Sequence, residues 1–97
     1  MRTYITLLRF TQKGAETIRE GPSRLDAAGA RFRAAGGELR AFYLTMGRYD
    51  AVAISEAPHD ETAAKLAFAA GALGTVRTET LRAFPEDEYR RMVAALP

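Results

Sequence analysis

An aspartate and a tyrosine stand next to each other in the middle of the chain, just after a glycine. The stretch "TMGRYDAVAIS" places Tyr49 and Asp50 at the mouth of an apolar run that should be buried. A carboxylate in a partly apolar cleft can act as a general base, and a phenol can donate a hydrogen bond to a developing oxyanion. Asp50 and Tyr49 are therefore candidate catalytic residues, and both are candidate ligand-binding residues.

Two arginines could complete such a site, because a guanidinium at Arg9 or Arg77 could orient an acidic substrate. Each of these side chains also has a structural interpretation. Asp50 could accept hydrogen bonds from backbone N–H groups at the start of the first helix, and Tyr49 could pack with its hydroxyl satisfied. Arg77 could form an ion pair with Glu79 on the same side of an edge strand. The sequence is compatible with both interpretations.

The composition limits the classes of function. A chain of 97 residues forms one domain, over 1–97, and its 14 basic and 12 acidic residues are spread without a basic stripe, so nucleic acid is not expected as a partner. There is no cysteine and His59 is the only histidine, so we expect neither a metal site nor a cofactor. No apolar run approaches the ~20 residues of a membrane span. The sequence predicts a cytoplasmic protein that does not contact membranes.

The elements that must position these side chains alternate between strand and helix patterns. The predicted order is βαββαβ followed by a terminal helix. The first helix should break at Gly21-Pro22. Ser23 and Asp26 are spaced like a weak capping box for the helix that begins again after the break. A tight two-residue turn at Gly47-Arg48 should join strands two and three. The predicted elements are a strand over Thr3–Phe10, a helical region from Ala15 to the Gly36-Gly37 pair, a hairpin over 38–57, a helix over 61–73 capped by Asp60, a strand over Thr75–Phe84 and a helix from Pro85.

This order predicts an α+β fold of the ferredoxin-like type, a four-stranded antiparallel sheet with strands one and three in the middle and helices on one face. Asp50 should then lie near Arg9, Phe10 and Thr11. The other sheet face would be bare and apolar, with Phe42, Tyr43, Val52 and Ile54 among its residues. We expect a second copy of the chain to cover it, giving a homodimer or a higher homo-oligomer. The alternative is that the C-terminal helix folds across it.

The stretch "RAFYLTMGRYDAVAISEAP" resembles the GYD domain family, small bacterial and archaeal proteins named for a glycine, a tyrosine and an aspartate. The resemblance extends to "YITLLRFTQKG", "SRLDAA" and "LGTVRTETLRAF", and so covers nearly the whole chain. Gly47, Tyr49 and Asp50 stand at the motif positions, with Arg48 at the variable one. The resemblance implies the dimeric α+β barrel group, whose members include cofactor-free oxygenases, isomerases and ligand-sensing domains.

Three hypotheses follow for function. The first is a homo-oligomer that binds a small organic molecule between the sheet and its helices. The second is a cofactor-free enzyme of the oxygenase or isomerase type, with Asp50 as base and Tyr49 as hydrogen-bond donor. The third is a purely structural or partner-binding oligomer. A cavity of about 300 to 1,000 Å³ would favour the first two, and a solid core the third.

Overall fold

A computed structural model describes all residues from Met1 to Pro97. The strands are β1 (Arg2–Phe10), β2 (Glu38–Leu44), β3 (Ala51–Ala57) and β4 (Val76–Ala83). The helices are α1 (Gln12–Glu16), α2 (Gly21–Ala34), α3 (Asp60–Ala72) and α4 (Glu86–Ala94), with a 3-10 turn over Ile18–Glu20. The predicted order of elements is confirmed.

The four strands form one antiparallel sheet in the order β2-β3-β1-β4. The two central strands are β1 and β3, as the ferredoxin-like arrangement requires. Leu7 at the centre of β1 lies opposite Val52 on one side and Glu79 on the other. The end of β1 thereby meets the start of β3, which is where the sequence predicted Asp50 to lie.

The helical region after β1 is divided further upstream than predicted. Thr11 caps α1, its Oγ1 accepting a hydrogen bond from the Gly14 N–H at 3.1 Å, and the chain passes through a 3-10 turn before α2 begins at Gly21. Pro22 therefore lies in the first turn of α2, where a missing N–H costs nothing. The predicted capping box is wrong, because the Ser23 hydroxyl donates to the Glu20 carbonyl at 2.9 Å and caps no N–H group.

The connection between β2 and β3 is longer than the predicted two-residue turn. β2 ends at Leu44 and β3 begins at Ala51, so residues 45–50 form the loop. Thr45 closes it: its N–H donates to the Asp50 carbonyl at 2.9 Å, and its hydroxyl donates to the Tyr49 carbonyl at 2.7 Å. Gly47 has a φ of 117°, a conformation that a residue with a side chain rarely adopts.

The two faces of the sheet differ in what covers them. Alternate residues of β1, from Tyr4 to Phe10, face α2 and α3, while Ile5, Leu7 and Arg9 lie on the opposite side, which we call the outer face. Tyr43, Val52 and Ile54 share the outer face, as predicted, and the strand register places them there. Phe42 does not, because strand alternation turns it toward the helices, where it lines the space beneath α2.

The C-terminal helix α4 does not cover the outer face. Its apolar side chains Tyr89, Met92 and Val93 are each at least 46% exposed, and so is Leu96 just beyond its end. Leu81 on the outer face is 45% exposed. The alternative in which α4 folds across the sheet is therefore wrong for the single chain. None of the helices is long and apolar enough to span a bilayer.

The tightly packed core is small. Tyr4, Ala57 and Ala63 form its buried cluster at one end of the sheet, beside Gly37, whose missing side chain lets the backbone approach β3 closely. At the other end Gly14 packs against the Thr75 carbonyl in the same way. The sheet and helices are thus fastened at both ends, with an open space between them.

Candidate functional site

The space between the sheet and the helices α2 and α3 is a cavity of about 430 Å³. Its floor is the helix-facing side of the sheet and its roof is the inner side of the two helices. A volume of this size is typical of small-molecule sites and excludes a solid core. The apolar side chains that line it include Leu8, Phe10, Leu25, Phe32, Leu39, Phe42, Leu44, Leu66 and Leu73.

Small residues on facing positions keep this cavity open. Ala53 and Ser55 form the central floor on β3, and Ala67 and Ala70 on α3 stand in the roof. Side chains of this size cannot reach across to the facing layer, so they leave space between the sheet and the helices. The alanines of α3 thereby enlarge the cavity.

A few hydroxyl groups are placed on the apolar floor. Ser55 is 2% exposed, lines the cavity, and its Oγ forms no hydrogen bond within the chain. Thr78 lines the same floor on β4, and Thr6 and Thr80 lie side by side with their Oγ1 atoms 3.5 Å apart. An apolar cavity with a few convergent polar groups can both bury a ligand and orient it.

The only formally charged side chains in the lining are two arginines of α2, Arg24 and Arg31. Arg24 is occupied by the chain: its guanidinium donates to the Thr17 hydroxyl and to the Thr17 carbonyl, both at 3.0 Å, and lies 3.9 Å from the Glu20 carboxylate. Arg31 is partly buried, and its guanidinium takes part in no hydrogen bond or ion pair. The lining contains no acidic residue.

Tyr4 closes one end of the cavity. Its hydroxyl donates to Asp60 Oδ1 at 2.5 Å, and the Arg82 guanidinium lies 5.8 Å from its ring centre and 3.8 Å from the same carboxylate oxygen. Burial raises the pKa of the Tyr4 phenol, and the hydrogen bond to the Asp60 carboxylate raises it further. Asp60 is the first residue of α3, so the predicted N-cap role is replaced by this contact and His59 is the capping residue.

Asp50 forms a bridge between the two central strands. Its Oδ2 accepts the Phe10 N–H at 2.8 Å, and its own N–H donates to the Leu8 carbonyl at 2.8 Å. The predicted neighbourhood of Asp50 is therefore present. The predicted hydrogen bond from the start of the first helix is not formed. The N–H group that donates to Asp50 belongs to Phe10, the last residue of β1, whereas α1 begins at Gln12 and is capped by Thr11.

The other predicted site residues lie around Asp50 on the outer side of the sheet. The Arg9 guanidinium stacks on the Tyr49 ring at 4.9 Å, and Arg77 is the direct neighbour of Arg9 across the β1–β4 pair. Arg77 forms no ion pair with Glu79. The structure thus gathers Arg9, Tyr49, Asp50 and Arg77 at one sheet end, but none of the four lines the cavity.

The residues that line the cavity were not singled out by the sequence reasoning, although one signal was present. β3 reads Ala51-Val52-Ala53-Ile54-Ser55, so that every residue on one face is small and every residue on the other is large. A strand with one small face leaves room above it. Whether helices fill that room depends on the distance between layers, which a pattern of residue types does not give.

A protein-family model matches almost the whole of this fold. The family described as "GYD domain" matches residues 4–93, a span that reaches from β1 into α4. This chain belongs to the GYD domain family. The motif residues of the family lie between β2 and β3. Gly47 and Tyr49 are in the loop that joins these strands, and Asp50 connects the loop to β1 by its hydrogen bond to Phe10.

A relative and a solved structure that are similar to this GYD chain both come from Thermus thermophilus. One, named "Glutamine synthetase and cystathionine beta-lyase binding protein", is 35% identical over 86 residues, covering 88% of this chain and 90% of that protein. The other is the crystal structure of TTHA0845, which superposes with a TM-score of 0.55 at 27% identity, covering 87% of this chain and 94% of that one. The likeness to a solved structure supports the ferredoxin-like α+β fold.

Proposed function

We propose that this GYD protein binds a small organic molecule in the cavity between the sheet and α2 and α3. The observation that carries the proposal is the cavity itself, about 430 Å³ in volume and apolar except for a few hydroxyls and arginines. A ligand with an apolar body would make packing contacts with the apolar side chains that line this volume.

We infer further that the protein acts in the cytoplasm as a homo-oligomer in which a second copy covers the outer face. Ile5, Leu7, Val52 and Ile54 form an apolar patch there, none of them fully buried in the single chain. A face of this kind on a monomer is usually an interface, and a twofold axis lets one patch cover its own copy. A monomer persisting at high micromolar concentration in native mass spectrometry would contradict this inference.

Binding without turnover is preferred to catalysis because of where Asp50 and Tyr49 lie. A general base must reach the proton that it removes, yet the Asp50 carboxylate accepts a backbone N–H and is absent from the cavity lining. A role of Arg9, Tyr49, Asp50 and Arg77 in ligand binding stays a prediction from the sequence. It would require a ligand that reaches the outer side of the sheet end.

A second candidate function is the binding of another protein. The observation in its favour is the printed name of the 35% identical Thermus relative, which is a binding protein for two enzymes. In this chain the apolar side of α4 is exposed and would suit such a partner. We expect a Met92→Glu variant to weaken any such complex in surface plasmon resonance, whereas Arg90→Gln, which removes a charge of an exposed intrahelical pair, should not.

The cavity proposal is tested by filling the space. Ala67 of α3 lines the cavity and Ala64, one turn earlier, is exposed and does not. We expect the wild-type chain to bind the neutral fluorescent probe N-phenyl-naphthylamine. Ala67→Phe should reduce that binding at least tenfold, and the matched Ala64→Phe variant should leave it unchanged. Equal binding by all three proteins, or no binding by the wild type, would contradict a ligand site in the cavity.

A further inference from the structure

We infer that the ligand of the cavity is an organic acid, with an apolar body under the helices and one anionic group at Arg31. This inference rests on the proposed function, since it names the chemical class of the ligand for the same cavity. It is carried by the charged residues of the lining, which are two arginines and no aspartate or glutamate.

Arg24 and Arg31 lie seven residues apart on α2, two turns and about 10 Å along the same helix face. Arg24 is already held by oxygen atoms of the chain, at Thr17 and in the salt bridge with Glu20. It therefore acts as a fixed part of the wall between α1 and α2. The Arg31 guanidinium forms no hydrogen bond or ion pair, and Arg31 is a partly buried residue of the cavity lining.

A guanidinium in apolar surroundings loses hydration and gains from an anion that it can contact. Its planar donors match the two oxygens of a carboxylate, which makes arginine the common anchor for organic acids. Arg31 forms no ion pair with an acidic side chain of the protein, so its guanidinium is free to bind an anionic group of a ligand. The hydroxyl of Ser55 on the opposite floor is also without a partner and could take up a polar group on the ligand body.

Arg33 is a cation of the same helix in different surroundings. Arg33, two residues further on, is exposed, does not line the cavity and forms no ion pair. It has the same charge and sits on the same helix in open water, where an isolated ion pair is worth little. Arg33 is therefore the matched control for Arg31, because it shares the charge and the helix but not the surroundings.

The test uses two fluorescent probes with the same aromatic body. Anilinonaphthalene sulfonate carries an anion and N-phenyl-naphthylamine does not. We expect the wild-type chain to bind the anionic probe more tightly, and Arg31→Gln to weaken it about tenfold, as expected for loss of one charge-assisted contact. Arg31→Gln should leave the neutral probe within about twofold, and Arg33→Gln should leave both probes unchanged.

Two further measurements extend the test. Salt should weaken binding of the anionic probe to the wild type and not that of the neutral one, because screening acts on the charge contact alone. Decanoate should displace either probe at lower concentration than its methyl ester, which would identify carboxylates as ligands. Equal affinity for both probes together with an unchanged Arg31→Gln variant would overturn the inference on the acid. Failure of the neutral probe to bind at all would instead overturn the cavity proposal.

Discussion

The sheet end around Asp50 and the cavity beneath the helices differ in whether their polar side chains form hydrogen bonds within the chain. At the sheet end the Asp50 carboxylate, the Thr45 hydroxyl and the Thr11 hydroxyl all bond to backbone groups of neighbouring segments. In the cavity, the side chains of Ser55 and Arg31 have no partner in the chain. Groups that the chain satisfies itself stabilise the fold, and groups that it leaves open are available to a ligand.

This difference separates the family's most recognisable residues from its candidate binding residues. Tyr49 and Asp50 belong to the motif, but the contacts of Asp50 are those of a structural bridge. The cavity residues are mostly alanine, serine and leucine on a strand and two helices, and nothing in their types attracts notice. A motif can therefore mark the place where a fold is fastened, while the ligand site lies elsewhere in the same domain.

The largest effect is expected at Gly14, where the sheet end is closed by direct backbone contact. A Cβ atom at this position would collide with the Thr75 carbonyl oxygen, and the backbone on both sides cannot give way easily. Gly14→Ala should lower the free energy of unfolding by about 3 kcal/mol, measured by urea denaturation. Gly71→Ala is the control, because nothing lies near that position in α3, and it should be neutral or slightly stabilising. A neutral Gly14→Ala would contradict a sheet end fastened by backbone contact.

Asp50 is expected to show the next largest effect. Asp50→Ala leaves the Phe10 N–H without its acceptor and should cost about 2 kcal/mol, with a clear fall in Tm. Asp50→Asn keeps an oxygen at the same place and should cost less. Asp26→Ala serves as the control, because Asp26 is exposed on α2 and its carboxylate forms no hydrogen bond or ion pair. An unchanged or raised Tm for Asp50→Ala would overturn the structural interpretation and return Asp50 to the candidate catalytic residues.

The hydrogen bond of Tyr4 at the other end of the sheet should also stabilise the fold, as that of Asp50 does. Tyr4→Phe keeps the ring but removes the hydrogen bond to Asp60, and should cost about 1.5 kcal/mol at neutral pH. Since the folded chain raises the pKa of this phenol, the stability that Tyr4 provides is complete below pH ~10 and is lost as the pH rises through the higher folded value. The stability difference between wild type and Tyr4→Phe should therefore shrink in denaturation curves above pH ~10. A difference that grew there would contradict this sign.

The smallest effect is expected at the neighbouring arginines of the outer face. Arg77→Ala removes an exposed cation that faces Arg9 and has no acidic partner, so the free energy of unfolding should change by less than about 0.5 kcal/mol. Arg9→Ala should cost about 0.5 kcal/mol, because it also removes the stacking on Tyr49. Neither should alter probe binding. A tenfold loss of probe affinity in either variant would place the ligand site at this sheet end and not in the cavity.

The order of elements and the sheet topology were predictable, because strands such as "TYITLLRF" and the glycine pairs between elements are strong local signals. The neighbourhood of Asp50 followed from that topology alone. The length of the loop over 45–50 was not predictable, because it depends on the hydrogen bonds of Thr45. The start of α2 was not predictable either, because Pro22 is tolerated in the first turn of a helix and does not end one there. The cavity could not be predicted, because it arises from the spacing of layers whose facing residues are too small to fill it.

The most direct measurement is an NMR titration of the whole chain with the neutral probe, following the backbone amide signals. We expect the amides of Ser55, Thr78 and Ala67 to shift with the probe and saturate, while those of Arg9, Tyr49 and Asp50 stay in place. Saturating shifts at Arg9, Tyr49 and Asp50, with Ser55 and Ala67 unmoved, would contradict a ligand site in the cavity. They would show that the sheet end binds the ligand and that the cavity is only a packing defect.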